Sequence, residues 1–181
     1  MKLPTEKECS ALIAKYEVPE NVAKHTESVR RIANILSRGI SSNGFKIDLE
    51  CVDKGALMHD VAKMYCIKNN CRHAAEAEKA LTQIGYSEFG KVLLLHGLEE
   101  VLGFNKSTPL EAKVVWYADK RVTHDKIVSL RERYDYLKER YGSISAEKMN
   151  EIISTEKSAY ALESELVQMA GLGKDFLEGA S

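Results

Sequence analysis

Apolar residues in this chain recur at helical spacing almost from end to end, and strand-like alternation holds nowhere. That pattern confines the fold to an all-α, multi-helix bundle. Pro4 followed by Thr5-Glu6-Lys7-Glu8 reads as a capping box that starts a first helix carrying Leu12, Ile13 and Tyr16. Pro19 opens a long second helix with Val22, Val29, Ile32, Ile35 and Leu36 on one face, closed by Gly39 and Asn43-Gly44. Asp48 caps a third helix that carries Val52, Ala56 and Leu57 into the pair His59-Asp60. A polar connection at Lys68-Asn69-Asn70 precedes a fourth helix from about Arg72 to Ile84, ended by Gly85. The fifth begins near Ser87 and carries Val92, Leu93, Leu95 and His96. Thr108-Pro109-Leu110-Glu111 combines a cap, a first-turn proline and a capping-box glutamate, and starts a sixth with Val115, Trp116 and Asp119. The stretches Ile127 to Tyr141 and Ser145 to Ala170 are amphipathic and rich in charge.

Length and composition narrow the function. At 181 residues, 44% of them hydrophobic, the chain suits one domain over 1–181, with a core at about 19–125, an N-terminal helix and a C-terminal helical extension. A net charge of -1 argues against nonspecific nucleic-acid binding, which needs a basic field. No apolar run reaches membrane-spanning length and the N-terminus lacks a signal-peptide core, so a cytoplasmic location is expected. Cys9, Cys51, Cys66 and Cys71 are then expected as reduced thiols. Cys66, Cys71 and His73 hint at a zinc knuckle, but a fourth ligand at regular spacing is missing. The preferred reading is two semi-buried thiols in a connection.

Four polar residues fall where core residues belong. His25 lies three residues after Val22 and four before Val29, on the apolar face. Asp119 follows Val115 by four and precedes Val122 by three, so it also looks inward. His59 and Asp60 follow Leu57-Met58, and neighbouring helical side chains diverge by roughly 100 degrees. Taken singly, each could be a hydrogen-bonded core residue with its own partner. One bound cation satisfies all four together, which is the more economical reading. His124, by contrast, reads as a solvated surface residue.

A distant His, a His-Asp pair and a distant Asp resemble the HD superfamily of metal-dependent phosphohydrolases. Gly55-Ala56-Leu57-Met58-His59-Asp60-Val61-Ala62-Lys63 is similar to its central motif, His25-Thr26-Glu27-Ser28-Val29 to its opening histidine, and Tyr117-Ala118-Asp119-Lys120 to its closing aspartate. Val61-Ala62 stands where that family more often shows Ile-Gly. The stretch from His73-Ala74 to Leu130-Arg131-Glu132-Arg133 resembles small stand-alone bacterial HD proteins, whose substrates are often unassigned.

The resemblance implies a first metal on His25, His59, Asp60 and Asp119. His73 and His96 match the type and order of two further histidines that some branches use for a second metal bridged by the dyad carboxylate. Otherwise they would contact substrate or support the first ligands. The cofactor implied is one or two divalent ions, of Fe, Mn, Ni, Co, Zn or Mg. The reaction implied is hydrolysis of a phosphoester or phosphoanhydride, above all in a nucleotide, by a metal-activated hydroxide that Asp60 positions and Lys63 assists electrostatically. Lys120 either assists or is an exposed helix residue.

Two alternatives use the same residues: a di-iron HD-fold oxygenase, and a non-catalytic nucleotide-binding module. Arg131-Glu132-Arg133 reads as a solvated, internally paired face. Leu162, Leu166 and Met169 suggest packing on the domain or, as a homodimer, on a second copy.

Overall fold

The computed structural model describes residues 1–173 and 175–177; residue 174 and the last four residues, included in the expected 1–181 span, lie outside the described residues. The α-helices are α1 (Glu6–Lys15), α2 (Glu20–Ser42), α3 (Leu49–Met58), α4 (Lys63–Asn69), α5 (His73–Gln83), α6 (Ser87–Leu94), α7 (Leu110–Lys120), α8 (Leu130–Leu137) and α9 (Ala146–Ala170). The all-α expectation holds.

Local chemistry sets most of the boundaries. Thr5 and Glu8 form the expected capping box of α1, and Asp48 accepts from the Cys51 amide to start α3. At α7 the expected box is absent. Pro109 itself is the N-cap, the Thr108 hydroxyl accepts from the Asn105 amide, and Glu111 accepts from Asp48 N–H at 2.9 Å. Ser129 and Glu132 form a second capping box, at α8.

Long α2 is the axis, with α3, α7 and α9 packed around it. Val29, Ile32, Leu36 and Ile40 of α2 meet Val114, Trp116 and Ala118 of α7 and Leu162, Leu166 and Ala170 of α9 in one core. A second core joins α1, α3, α5 and α6 through Leu12, Met58, Leu81, Phe89 and Leu93. Leu162 and Leu166 thus pack on this chain's own core, with Met169 partly buried against it. Gly39 does not end α2, which runs on to Ser42; a Cβ there would come within 2.7 Å of the Ala170 carbonyl oxygen, so a glycine lets α9 seat against α2.

Two further details depart from expectation. After α7 the chain forms a two-stranded antiparallel hairpin, β1 (Val122–Thr123) with β2 (Lys126–Ile127), too short for any alternation to show in sequence. Cys66 and Cys71 are disulfide-bonded, whereas Cys9 and Cys51 are free and buried. Asn70 adopts a left-handed conformation (φ 52°) and the Cys71 amide donates to the Cys66 carbonyl, which folds the second thiol back onto the first. A zinc knuckle is thereby excluded, since the two sulfurs hold each other. No described helix is long and apolar enough to cross a membrane.

Candidate metal centre

The two cores meet at a polar cluster where five segments converge. His25 projects from the second turn of α2. His59 and Asp60 occupy a turn just beyond α3, not its interior, and Lys63 opens α4. His73 opens α5, His96 lies two residues past the end of α6, and Asp119 sits in the last turn of α7. A Cβ on Gly55 would stand 3.0 Å from Val115 Cγ2, so the glycine lets α3 and α7 approach closely. That contact lies about one helical turn before both His59 and Asp119, which brings the two together.

Asp60 is the hinge of the arrangement. Its Oδ2 lies 3.5 Å from His59 Nε2 and 3.8 Å from His25 Nε2. Its Oδ1 lies 3.3 Å from His73 Nε2 and 3.8 Å from His96 Nε2. Asp119 Oδ1 adds itself to the first group, 3.0 Å from His25 Nε2 and 3.8 Å from His59 Nε2. His25, His59 and Asp60 form one group that could hold an ion, and Asp60, His73 and His96 form another. The structure thus brings all six sequence-selected donors together.

Main-chain carbonyls set the histidine tautomers. His59 Nδ1 faces Ala56 O at 2.8 Å, His96 Nδ1 faces Leu93 O at 2.6 Å, and His25 Nδ1 faces His124 O at 2.7 Å. A carbonyl only accepts, so in each ring Nδ1 carries the hydrogen and Nε2 offers its lone pair inward. His124 is exposed as expected, but its backbone (φ 58°) aims that carbonyl at His25, and Ser28 Oγ donates to Asp125 O at 2.7 Å beside it. The unforeseen hairpin thereby orients a donor of the site.

The electrostatics suit a cation. His59 Nε2 is buried and has no hydrogen-bond partner, which costs stability unless something accepts its lone pair. Burial lowers the proton affinity of His59 and drives His96 down to about 3, so both rings are neutral near pH 7. Burial works to raise the Asp60 carboxyl, but the polar groups around it, the Lys63 ammonium among them, hold it well below the usual carboxylate range. Burial is likewise outweighed at Asp119, above all by the adjoining Lys120 ammonium. Ionised carboxylates and neutral imidazoles are the forms that ligate divalent metals. The donor set fits one.

Lys120, left open by the sequence, is buried: its ammonium contacts Asp119 Oδ2, donates to His96 O at 3.2 Å and lies 5.2 Å from the Trp116 ring centroid. Arg131-Glu132-Arg133 divides. Arg131 is exposed near Asp135 and Glu132 caps α8, but Arg133 turns inward and lines the cavity over Asp60. The signal that could have found it is its position, three residues after Leu130 and four before Leu137 on the buried face of α8.

An all-α bundle whose histidines and aspartates form two ion-sized groups around a shared carboxylate is a helical protein equipped for metal binding. Residues 22–123 match the HD domain family, more than half of the chain, and the chain belongs to that family. It is also similar to an uncharacterized protein of Methanocaldococcus jannaschii, 26% identical over 134 residues that cover 63% of this chain and 77% of that protein. No solved structure matches it.

Proposed function

We propose that this protein is a metal-dependent phosphohydrolase that cleaves a phosphoester or phosphoanhydride bond in a small phosphate compound, a nucleotide foremost. The observation that carries the reading is the Asp60 carboxylate: one oxygen faces His25 and His59, the other faces His73 and His96, and Lys63 Nζ donates to it at 2.6 Å. His25, His59, Asp60 and Asp119 would hold one divalent ion, and Asp60, His73 and His96 a second. Such an ion supplies Lewis acidity and acidifies its water, to a pKa of about 7 in favourable zinc sites.

The chain's own groups do the rest. His59 and His96 are neutral without having to release a proton, because burial has already removed it. Lys63 stays charged: burial opposes its charge, but Asp60 and Asp119 outweigh that and push its pKa up. A fixed cation at the cavity floor is placed to neutralise a phosphoryl group, where charge builds in the transition state.

Elemental analysis of the purified protein, then turnover of nucleotides and an aryl phosphate with the metal found, tests the reading. Metal-dependent phosphate release without oxygen uptake is expected. Oxygen consumption, or no release from any phosphate compound, overturns it.

A further inference from the structure

Arg133 lies beyond residue 123, where the family match ends, and its environment is unusual. Its Nε is buried without a hydrogen-bond partner, and it makes no ion pair among the described residues. Its neighbour Lys63 carries the same sign of charge, close enough to be felt electrostatically. Two cations held together, one with an unsatisfied buried donor, are costly unless an anion joins them. Both residues line two cavities: one of about 220 Å³ beside His25, and one of about 160 Å³ beside His73 and His96, with Asp60 shared between them.

The larger cavity has an aromatic side. Tyr136 and Tyr141 stand edge to face with ring centroids 6.4 Å apart, and the Arg133 guanidinium lies 5.8 Å from the Tyr136 ring. Tyr141 reaches this wall from a π-helical stretch, Lys138–Gly142, which follows α8 without a break. Local π geometry of this kind is frequent at functional sites. Aromatic faces recognise planar rings by stacking, and a guanidinium binds phosphate oxygens through a fork of N–H groups.

We propose that Arg133 and Lys63 clamp the phosphate of a phosphomonoester above Asp60, and that Tyr136 and Tyr141 hold the planar ring of its alcohol, as in an aryl or nucleoside monophosphate. The proposal deepens the hydrolase reading and rests on it. It assigns substrate recognition to α8 and the turn after it. The hydrolase reading drew only on residues up to Asp119.

The experiment compares wild-type, Arg133→Gln, Arg133→Lys and Tyr141→Ala proteins, metal-loaded, on p-nitrophenyl phosphate and on ring-free glycerol phosphate. Binding of inorganic phosphate is measured in parallel by calorimetry. Arg133→Gln should raise KM and weaken phosphate binding by about tenfold or more, the loss expected for a charge-assisted hydrogen bond, with Arg133→Lys in between. Tyr141→Ala should raise KM for the aryl ester and leave glycerol phosphate unchanged. Arg133 has no ion pair to lose and its buried Nε is unsatisfied, so neither variant should melt below wild type. A KM and phosphate affinity unchanged in Arg133→Gln, or a Tyr141→Ala effect equal on both esters, overturns the inference while leaving the hydrolase standing. No turnover of either ester by wild type, while nucleotides or anhydrides are cleaved, overturns the inference alone; no release from any phosphate compound overturns both.

Discussion

The Nε2 atoms of His73 and His96 face each other at 2.8 Å, and both lie within 4 Å of the same oxygen, Asp60 Oδ1. His96 has its Nδ1 committed to Leu93 O, so its Nε2 is a lone pair. Either His73 donates a hydrogen to that lone pair, or both rings serve a cation. The second arrangement makes a sharp prediction: His96→Ala should lower metal content by roughly one ion per chain, because the His25 group keeps its own donors. Elemental analysis after equilibration with excess metal and desalting checks it. Unchanged content would reduce His73–His96 to a simple hydrogen bond.

His59 supports a second prediction. Its orphaned Nε2 is a stability cost in the metal-free protein that an ion would relieve. Metal at about a hundred times its dissociation constant should stabilise the fold by about 2.7 kcal/mol, and a chelator should reverse the gain. In His59→Ala the shift should shrink strongly, since the first group loses its most buried donor. Thermal melts with and without metal report both effects. An equal shift in the variant would mean that the ion binds elsewhere.

The four first-group candidates His25, His59, Asp60 and Asp119 were legible in sequence because each interrupts an apolar helical pattern, and a buried polar residue is informative wherever it falls, whereas His73 and His96 came with the family resemblance. His25 between Val22 and Val29, and Asp119 between Val115 and Val122, announce themselves in this way. Three features were not legible. The hairpin that aims His124 O at His25 is two residues per strand, below any periodicity. The Cys66–Cys71 disulfide depends on a left-handed Asn70, a backbone choice that spacing does not show. Arg133 lies within a charged run whose composition spoke for solvent, while its register with Leu130 and Leu137 spoke for the interior. Register was the better guide.

Gly55 carries a third prediction, although it touches no donor. Alanine there gains about 1 kcal/mol of helix propensity and sets its Cβ 3.0 Å from Val115 Cγ2, a contact that a small shift relieves. Gly55→Ala should therefore be close to neutral. Gly55→Val adds further methyl groups to the α3–α7 contact and should destabilise by about 1–3 kcal/mol, as overpacking does. Because the contact lies one turn from His59 and Asp119, metal affinity should fall in Gly55→Val as well. Urea unfolding and metal titration check the two consequences; full affinity in a destabilised Gly55→Val would separate the helix contact from the site.

A fourth prediction concerns acid stability far from the metal centre. The Glu8 carboxylate accepts from Thr5 N–H at 2.8 Å, from Thr5 Oγ1 at 2.7 Å and from Tyr86 O–H at 2.8 Å, which ties α1 to the start of α6. The Thr5 backbone bond, then the Thr5 and Tyr86 hydroxyls, lower its pKa from 4.5 to about 2. The folded carboxyl thus holds its proton less tightly than the unfolded one. Its contribution is complete above the unfolded value and fades as pH falls toward about 2, where both states are protonated. Glu8→Gln keeps the shape and removes the charge, so it should be less stable than wild type at pH 7. That deficit should narrow steadily below about pH 4.5. Comparing urea midpoints of the two proteins across this range cancels the titration of Asp60 and Asp119, which both share. A deficit that stays constant with pH would mean that the three bonds do not favour the ionised form of Glu8.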